Sequence, residues 1–306
     1  MTSQSQLEDR EFGPVRVLFG SGGGRYPDAN SLLVSGSRER LIVDPALGLL
    51  ERAEPPPEVD RVLNSHCHED HISGNHLFPE VPWHLHTLDQ PGIRSLDAMM
   101  EIYGLPEAIE RPFRDAIREH FHFVPRPDAL GFEDGDVFDL GGTQLRVIHT
   151  PGHTRGHCCF LIEWRGETDS LLYLGDIDLT GFGPYYGDAW SDLADFERSL
   201  EKVRDIEARW YVTSHHIGVV EGRETFLGRL ERFGASIDER EQRLLAYLKE
   251  PHSLEEIAAH RFIYRAKDQI PYADAVERRC MSQHLQRLLA QTRVEELEEG
   301  RFRTQS

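Results

Sequence analysis

Asn64–Gly74 reads NSHCHEDHISG, three histidines and an aspartate within six residues at the spacing H-x-H-x-D-H. Imidazole and carboxylate together are a preferred donor set for zinc and similar divalent ions. The short apolar run before it, Arg61–Asn64, reads as a buried strand that delivers the cluster onto a tight loop. Alternate residues of such a loop converge, so His66 and His68 can grip one ion. Asp70 and His71 then point toward a second position, about 3.5–4 Å away as in two-metal sites.

Two ions need more ligands than one loop supplies, and the rest of the chain offers them at further strand ends. His153 lies in HTPGHTRGH, where Pro151 and Gly152 permit a sharp turn out of TQLRVIHT. Asp176 follows the apolar run in LLYLGDID, and His215 follows WYVT in WYVTSHHIG. A lone histidine is more often a surface or satisfied core residue than a ligand, and 16 histidines favour accidental clusters. The weight therefore belongs to the ordered combination of five histidines and two aspartates.

Around these motifs the first 235 residues read as strands interleaved with helices. Ser31–Val34 and Leu41–Val43 flank the polar turn SGSRER as a hairpin. EPPPE at 54–58 is a loop, and residues 88–119 turn helical. DVFDL, TQLRVIHT, HCCFLIEW and SLLYLGD return to strand. Asp192–Ile206 makes a helix whose apolar face is Leu193, Phe196, Leu200 and Val203. The pattern predicts an α/β sandwich of layered sheets with helices outside. After Ala235 the character changes. Helices are expected over Ser236–Lys249, from the capping box Ser253-x-x-Glu256, and over Asp274–Gln291, with a hairpin at TRVEELEEGRFR. That order is winged-helix-like, so the expected domains are 1–235 and 236–306.

NSHCHEDHISG, TPGHTRGH, LGDID and TSHHIG, in this order, resemble the motifs of the metallo-β-lactamase-fold hydrolase superfamily, and LIVDPA with Asp44 looks like its early strand-end aspartate. The resemblance implies an αββα sandwich of two mixed β-sheets flanked by helices, with a metal site at one edge. By position, His66, His68 and His153 hold one ion; Asp70, His71 and His215 hold the other; Asp176 bridges. His216 is the rival of His215, which is preferred because Ser214 fills the small-residue place before the family's last histidine. Two divalent ions are implied, zinc first, with iron or manganese acceptable to the same ligands. The expected reaction is hydrolysis of a small ester, thioester or lactone by a hydroxide bound to the dinuclear centre, with Asp70 orienting the nucleophile. Alternatives are a single-stranded RNA endonuclease of the lactamase-β-like type, whose C-terminal part resembles this one, and a one-iron persulfide dioxygenase.

The remaining features bound these readings. Net charge is −19, with 12 basic against 13 acidic residues in 236–306 and 22 against 40 before it. Such an acidic body disfavours nucleic acid as a partner and suits a small-molecule substrate, although Arg278, Arg279, Arg287 and Arg293 can form a local basic patch. Four cysteines without repeating spacing, no apolar secretory segment and no run near 18 apolar residues point to the cytosol and no membrane. A homo-oligomer stays open. Cys67, Cys158 and Cys159 read as core residues. His157 reads as a proton donor to the site or as a structural histidine. Tyr185, Tyr186 and Trp190 in GFGPYYGDAW are candidate pocket walls, and GSGGGR at 20–25, lacking a G-K-[ST] ending, reads as a mobile loop at the site mouth.

Overall fold

The computed structural model describes residues 8–166, 169–265 and 267–305. Seven strands form the first sheet in chain order: Arg10–Phe12 (β1), Val15–Leu18 (β2), Ser31–Ser35 (β3), Arg40–Val43 (β4), Arg61–Leu63 (β5), Trp83–His86 (β6) and Leu130–Phe132 (β7). The second holds Val137–Asp139 (β8), Thr143–His149 (β9), Cys158–Trp164 (β10), Ser170–Tyr173 (β11), Trp210–Val212 (β12) and Val219–Glu221 (β13) in the order β13-β12-β11-β10-β9-β8. Both sheets are mixed. β4 through β7 pair in parallel, as do β11 and β12, and the other pairings are antiparallel.

The layering follows from period-2 patterning. Along β9, Thr143, Leu145 and Val147 are buried while Gln144 and Arg146 face solvent. Leu145 and Val147 join Val17, Leu32, Val43 and Phe160 in the core between the sheets. The outer face of the first sheet packs against Gln90–Arg94 (α3), Leu96–Tyr103 (α4) and Glu107–Glu119 (α5). That of the second packs under Leu193–Arg204 (α6) and Arg223–Tyr247 (α7). Asp192 caps α6 by accepting from the Asp195 amide, and all four expected apolar positions of this helix are buried. Two short helical turns, Ser21–Gly24 (α1) and Glu69–Ile72 (α2), lie at the sheet edge that carries the histidines.

Parallel pairing explains that concentration. β4 and β5 run side by side, so their C-terminal ends bring Asp44 beside Ser65 and His66. β11 and β12 do the same for Asp176 and His215.

Some expectations shift. The helical stretch 88–119 is three helices, because Ser95 caps α4, Gly104 ends it at φ +57°, and Pro106 precedes α5. The helix expected from Ser236 begins at Arg223, so position 235 falls inside one continuous helix. After it come His252–Ser253 (β14), Leu254–His260 (α8), Ala273–Ala290 (α9), Val294–Leu297 (β15) and Arg301–Thr304 (β16), with the Ser253–Glu256 capping box formed. β15 and β16 make the expected hairpin, and β14 adds an unforeseen third strand. Val276, Cys280, Leu285 and Leu288 of α9 enter the same apolar cluster as α6 and α7. The four arginines form no free basic patch: Arg278 pairs with Glu255, Arg287 with Glu197, Arg293 with Glu241, and Arg279 binds backbone carbonyls. Among the described residues, no helix is long and apolar enough to cross a membrane.

Candidate metal centre

The loop after β5 turns into α2, whose first turn carries Asp70 and His71 while His68 is its N-cap residue. This compact turn places His66, His68, Asp70 and His71 on one wall. The loops after β9, β11 and β12 add His153, Asp176 and His215 opposite. One ligand atom from each of His66, His68, His153 and Asp176 lies within 4.8 Å of the others, and Asp70, His71 and His215 form a second such group. The Asp176 carboxylate spans the two, with Oδ2 3.1 Å from His153 Nε2 and Oδ1 2.9 Å from His71 Nε2. His216, at φ +56°, joins neither group, and its ring centroid is 6.3 Å from that of His215.

The outer nitrogens of the five rings show what the inner ones can do. His66 Nδ1 donates to Ser65 Oγ at 3.0 Å, His71 Nδ1 to Asp44 Oδ2 at 3.0 Å, His153 Nδ1 to the Tyr185 carbonyl at 3.1 Å and His215 Nδ1 to the Gly24 carbonyl at 2.6 Å. His68 Nε2 faces Asp188 Oδ2 at 3.0 Å. A neutral imidazole that donates from one nitrogen presents a lone pair on the other. The inward nitrogens then approach lone pair to lone pair: His68 Nδ1 and His153 Nε2 are 2.9 Å apart, His71 Nε2 and His215 Nε2 3.3 Å. His66 Nε2 is buried without a hydrogen-bond partner. Buried lone pairs facing each other beside two carboxylates are repulsive unless cations sit among them, so the donor set fits divalent metal.

The titration pattern shows instead how strongly the carboxylates draw positive charge to the site, which in the metal-free chain falls on the rings as protons. Burial and then the neighbouring His71 hold His66 well below the ordinary histidine range. Burial opposes charge at His215 too, yet Asp176 prevails and raises it to about 9. Asp188 does the same for His68, also to about 9. Burial disfavours the charged form of Asp176, but His71, His215 and His153 together keep it ionised.

A supporting layer fixes these groups. Asp44, fully buried, accepts from the Ser65 amide, the Ser65 hydroxyl and Tyr173 Oη as well as from His71. His157 donates from Nδ1 to the Thr150 carbonyl and accepts the Asp176 amide at Nε2, 3.0 Å away; burial and then His153 push it down to about 3. It is therefore a neutral structural histidine that aims Asp176, not a proton donor. GSGGGR has a different part from the one expected. At Gly24 (φ +76°) a Cβ would strike the Ser214 carbonyl, and only this close passage lets the Gly24 carbonyl meet His215. Cys67, Cys158 and Cys159 are buried core residues.

A pocket opens over the cluster. Tyr185 lines it as expected, but Tyr186 is buried against His284 and Arg240, and Trp190 lies under Arg155. Sequence reading missed Glu69, whose carboxylate accepts from Tyr26 Oη at 2.9 Å and from Tyr103 Oη, and Asp188, which serves His68. Asp188 lay in plain view in GFGPYYGDAW. Tyr26 and Tyr103, 43 and 34 residues from Glu69, carried no local signal.

A family model described as the metallo-beta-lactamase superfamily matches residues 26–215. The chain is 30% identical over 241 residues to acyl-coenzyme A thioesterase MBLAC2 of Gallus gallus, covering 72% of this chain and 78% of that one. It is 26% identical over 205 residues to an atrochrysone carboxyl ACP thioesterase of Aspergillus fumigatus, covering 64% of this chain and 53% of the fungal protein, about half its length. Among solved structures, a metallo-beta-lactamase family protein from Thermus thermophilus superposes with a TM-score of 0.71 at 26% identity, over 96% of this chain and 99% of that one. A beta-lactamase domain protein from Burkholderia ambifaria gives 0.66 at 18% identity, over 99% and 95%, a likeness of fold.

Proposed function

Because this chain belongs to the metallo-beta-lactamase superfamily and is a hydrolytic enzyme, we propose that its histidine cluster is a two-cation centre that hydrolyses an acyl thioester. The observation that carries the centre is the convergence of five inward imidazole nitrogens, four of them on rings whose outer nitrogens are hydrogen-bonded and the fifth on His68, whose outer nitrogen faces Asp188. Thioester chemistry is supported by relatives of two kinds, both named thioesterases.

His66, His68 and His153 would hold one ion and Asp70, His71 and His215 the second, with Asp176 shared between them. Zinc suits this imidazole-carboxylate set, and iron or manganese would also be accepted. When bound, such ions supply Lewis acidity toward the acyl carbonyl and acidify water. The chain's residues do the rest. Asp70, beside His215 on the pocket wall, would also orient the water that attacks the acyl carbon and take up its proton. His157 keeps the Asp176 carboxylate aimed between the two groups, and Asp44 keeps His71 from rotating. The aromatic pocket wall excludes bulk water from the acyl group.

The second group of ligands argues against the one-iron dioxygenase, which needs a single ion. The paired arginines of α9 remove the basic surface that a nuclease would use. The order helix, strand, helix, helix and hairpin supports reading 236–306 as a winged-helix-like unit, and the free, buried cysteines accord with a cytosolic location.

Elemental analysis and thiol release from acyl-coenzyme A test the proposal together. Two equivalents of metal and steady thiol release are expected. Metal-replete protein that releases no thiol from any acyl-coenzyme A sinks the thioester reading; protein that takes up one equivalent or none sinks the two-cation centre.

A further inference from the structure

The pocket over the cluster is walled by segments outside the two sheets. Tyr103 and Phe113 come from the α4–α5 region, Phe182 and Tyr185 from the segment after β11, and Tyr264 and Tyr272 from the C-terminal part. The Tyr264 ring lies 5.7 Å from that of Phe182, so the C-terminal wall closes onto the catalytic one.

This wall is held from behind. Glu277 of α9 is fully buried, and its carboxylate accepts the amides of Phe262 at 2.9 Å, Ile263 at 2.8 Å and Tyr264 at 2.7 Å. A buried carboxylate is tolerated when backbone donors compensate it, and three of them lock the backbone that presents Tyr264. Two residues on, Arg279 donates to the carbonyls of Tyr103, Gly104 and Gly187. One helix thus sets the spacing between the C-terminal tyrosines, the inserted helices and the segment after β11.

The lining also selects by charge. Glu69, Asp70, Asp176, Asp178 and Asp188 face the pocket, and among the described residues no Lys or Arg does. Asp70 and Asp176 belong to the metal groups, and Asp188 serves His68. Glu69 and Asp178 remain as acidic wall away from the ligand groups, with no described lysine or arginine beside them to receive a carboxylate at the far end of an acyl chain. The cavity, about 200 Å³, has room for more than an acetyl group.

Resting on the thioester reading above, we propose that the C-terminal part is the acyl-selecting wall of the active site. Tyr264 and Tyr272 are its specificity residues, Glu277 is the positioning residue of Tyr264, and the acyl group accepted is uncharged and bulky, either aromatic or medium-chain.

The test uses full-length, metal-replete protein and the coenzyme A thioesters of acetate, succinate, hexanoate and benzoate. Values of kcat/KM for hexanoyl and benzoyl should exceed those for acetyl and succinyl by about tenfold or more, the scale on which apolar pockets discriminate. Tyr264→Ala and Tyr272→Ala should each cut the benzoyl-to-acetyl ratio by about tenfold, mainly through KM, while Tyr264→Phe preserves it. Glu277→Gln should raise KM for benzoyl with bound metal at the wild-type level; if it does not fold, the tyrosine variants decide. Succinyl turned over as well as benzoyl, or an unchanged ratio in both alanine variants, overturns this inference and leaves the thioesterase reading standing. No turnover of any thioester removes both.

Discussion

Asp176 illustrates how much one side chain does at this site. Its two oxygens reach different ligand groups, and its backbone amide is anchored by His157. Asp176→Ala should fold normally by circular dichroism yet lose both metal content and at least about a thousandfold in kcat, the scale on which a catalytic electrostatic group acts. Normal metal content with retained turnover would defeat the bridging role. His215→Ala should cost a full metal equivalent, whereas His216→Ala, outside both groups, should keep two; the reverse result in elemental analysis would exchange the assignments. His84 makes a different point. It lies on β6, where burial and then Arg61 lower it to about 4. The unfolded chain takes up a proton at its ordinary value, near 6.5, so this stability is whole above about pH 6.5 and is lost as pH falls toward about 4. His84→Gln should flatten the dependence of Tm over that window, and identical slopes for variant and wild type would remove His84 as the cause.

At the scale of elements, local signals and tertiary demands separate. The capping box at Ser253 and the apolar face of α6 were readable because both are written within one or two turns. Ser253→Ala should lower stability by about 1 kcal/mol, seen as a lower midpoint in urea with an unchanged slope. An unchanged midpoint would mean that tertiary packing alone holds α8. β6 escaped notice because WHLH alternates over only four residues, too few to stand out, and its two histidines are buried although the pattern would send them to solvent. β7 and β13 are three residues each, too short for a periodic signal. α7 was expected to start late because its first half, RETFLGRLERFGA, includes two glycines, Gly228 and Gly234, that weaken a helical pattern. Burial of Phe226, Leu230 and Phe233 against the second sheet overrides that local preference.

For the whole molecule, the proposed centre would act as a clasp. Its ligands come from both sheets, so a cation bound there links the two halves of the sandwich. Binding to the folded chain alone stabilises it by mass action. Dialysis against a chelator should therefore lower Tm by several degrees as well as abolish turnover, and added zinc should restore both; an unchanged Tm with complete metal loss would show that the sheets do not depend on the site. The C-terminal part also belongs to the whole. Its apolar residues share a cluster with α6 and α7, and its helix α9 grips the walls of the pocket.

The sequence by itself determined the candidate donors, their order and the strand ends that carry them, because residue spacing on a turn and apolar periodicity are local properties. It also made the family legible, since those motifs occur in fixed succession. Only the tertiary structure decided that His215 and not His216 turns inward, that Tyr186 is core and Tyr185 wall, and that Glu69, Tyr264 and Tyr272 face the pocket. Those outcomes depend on which distant backbones pass close together, such as Gly24 beside Ser214 or α9 behind Tyr264. A contact between residues scores or hundreds of positions apart leaves no periodicity in a single chain, and so it becomes visible only once the sheets have closed.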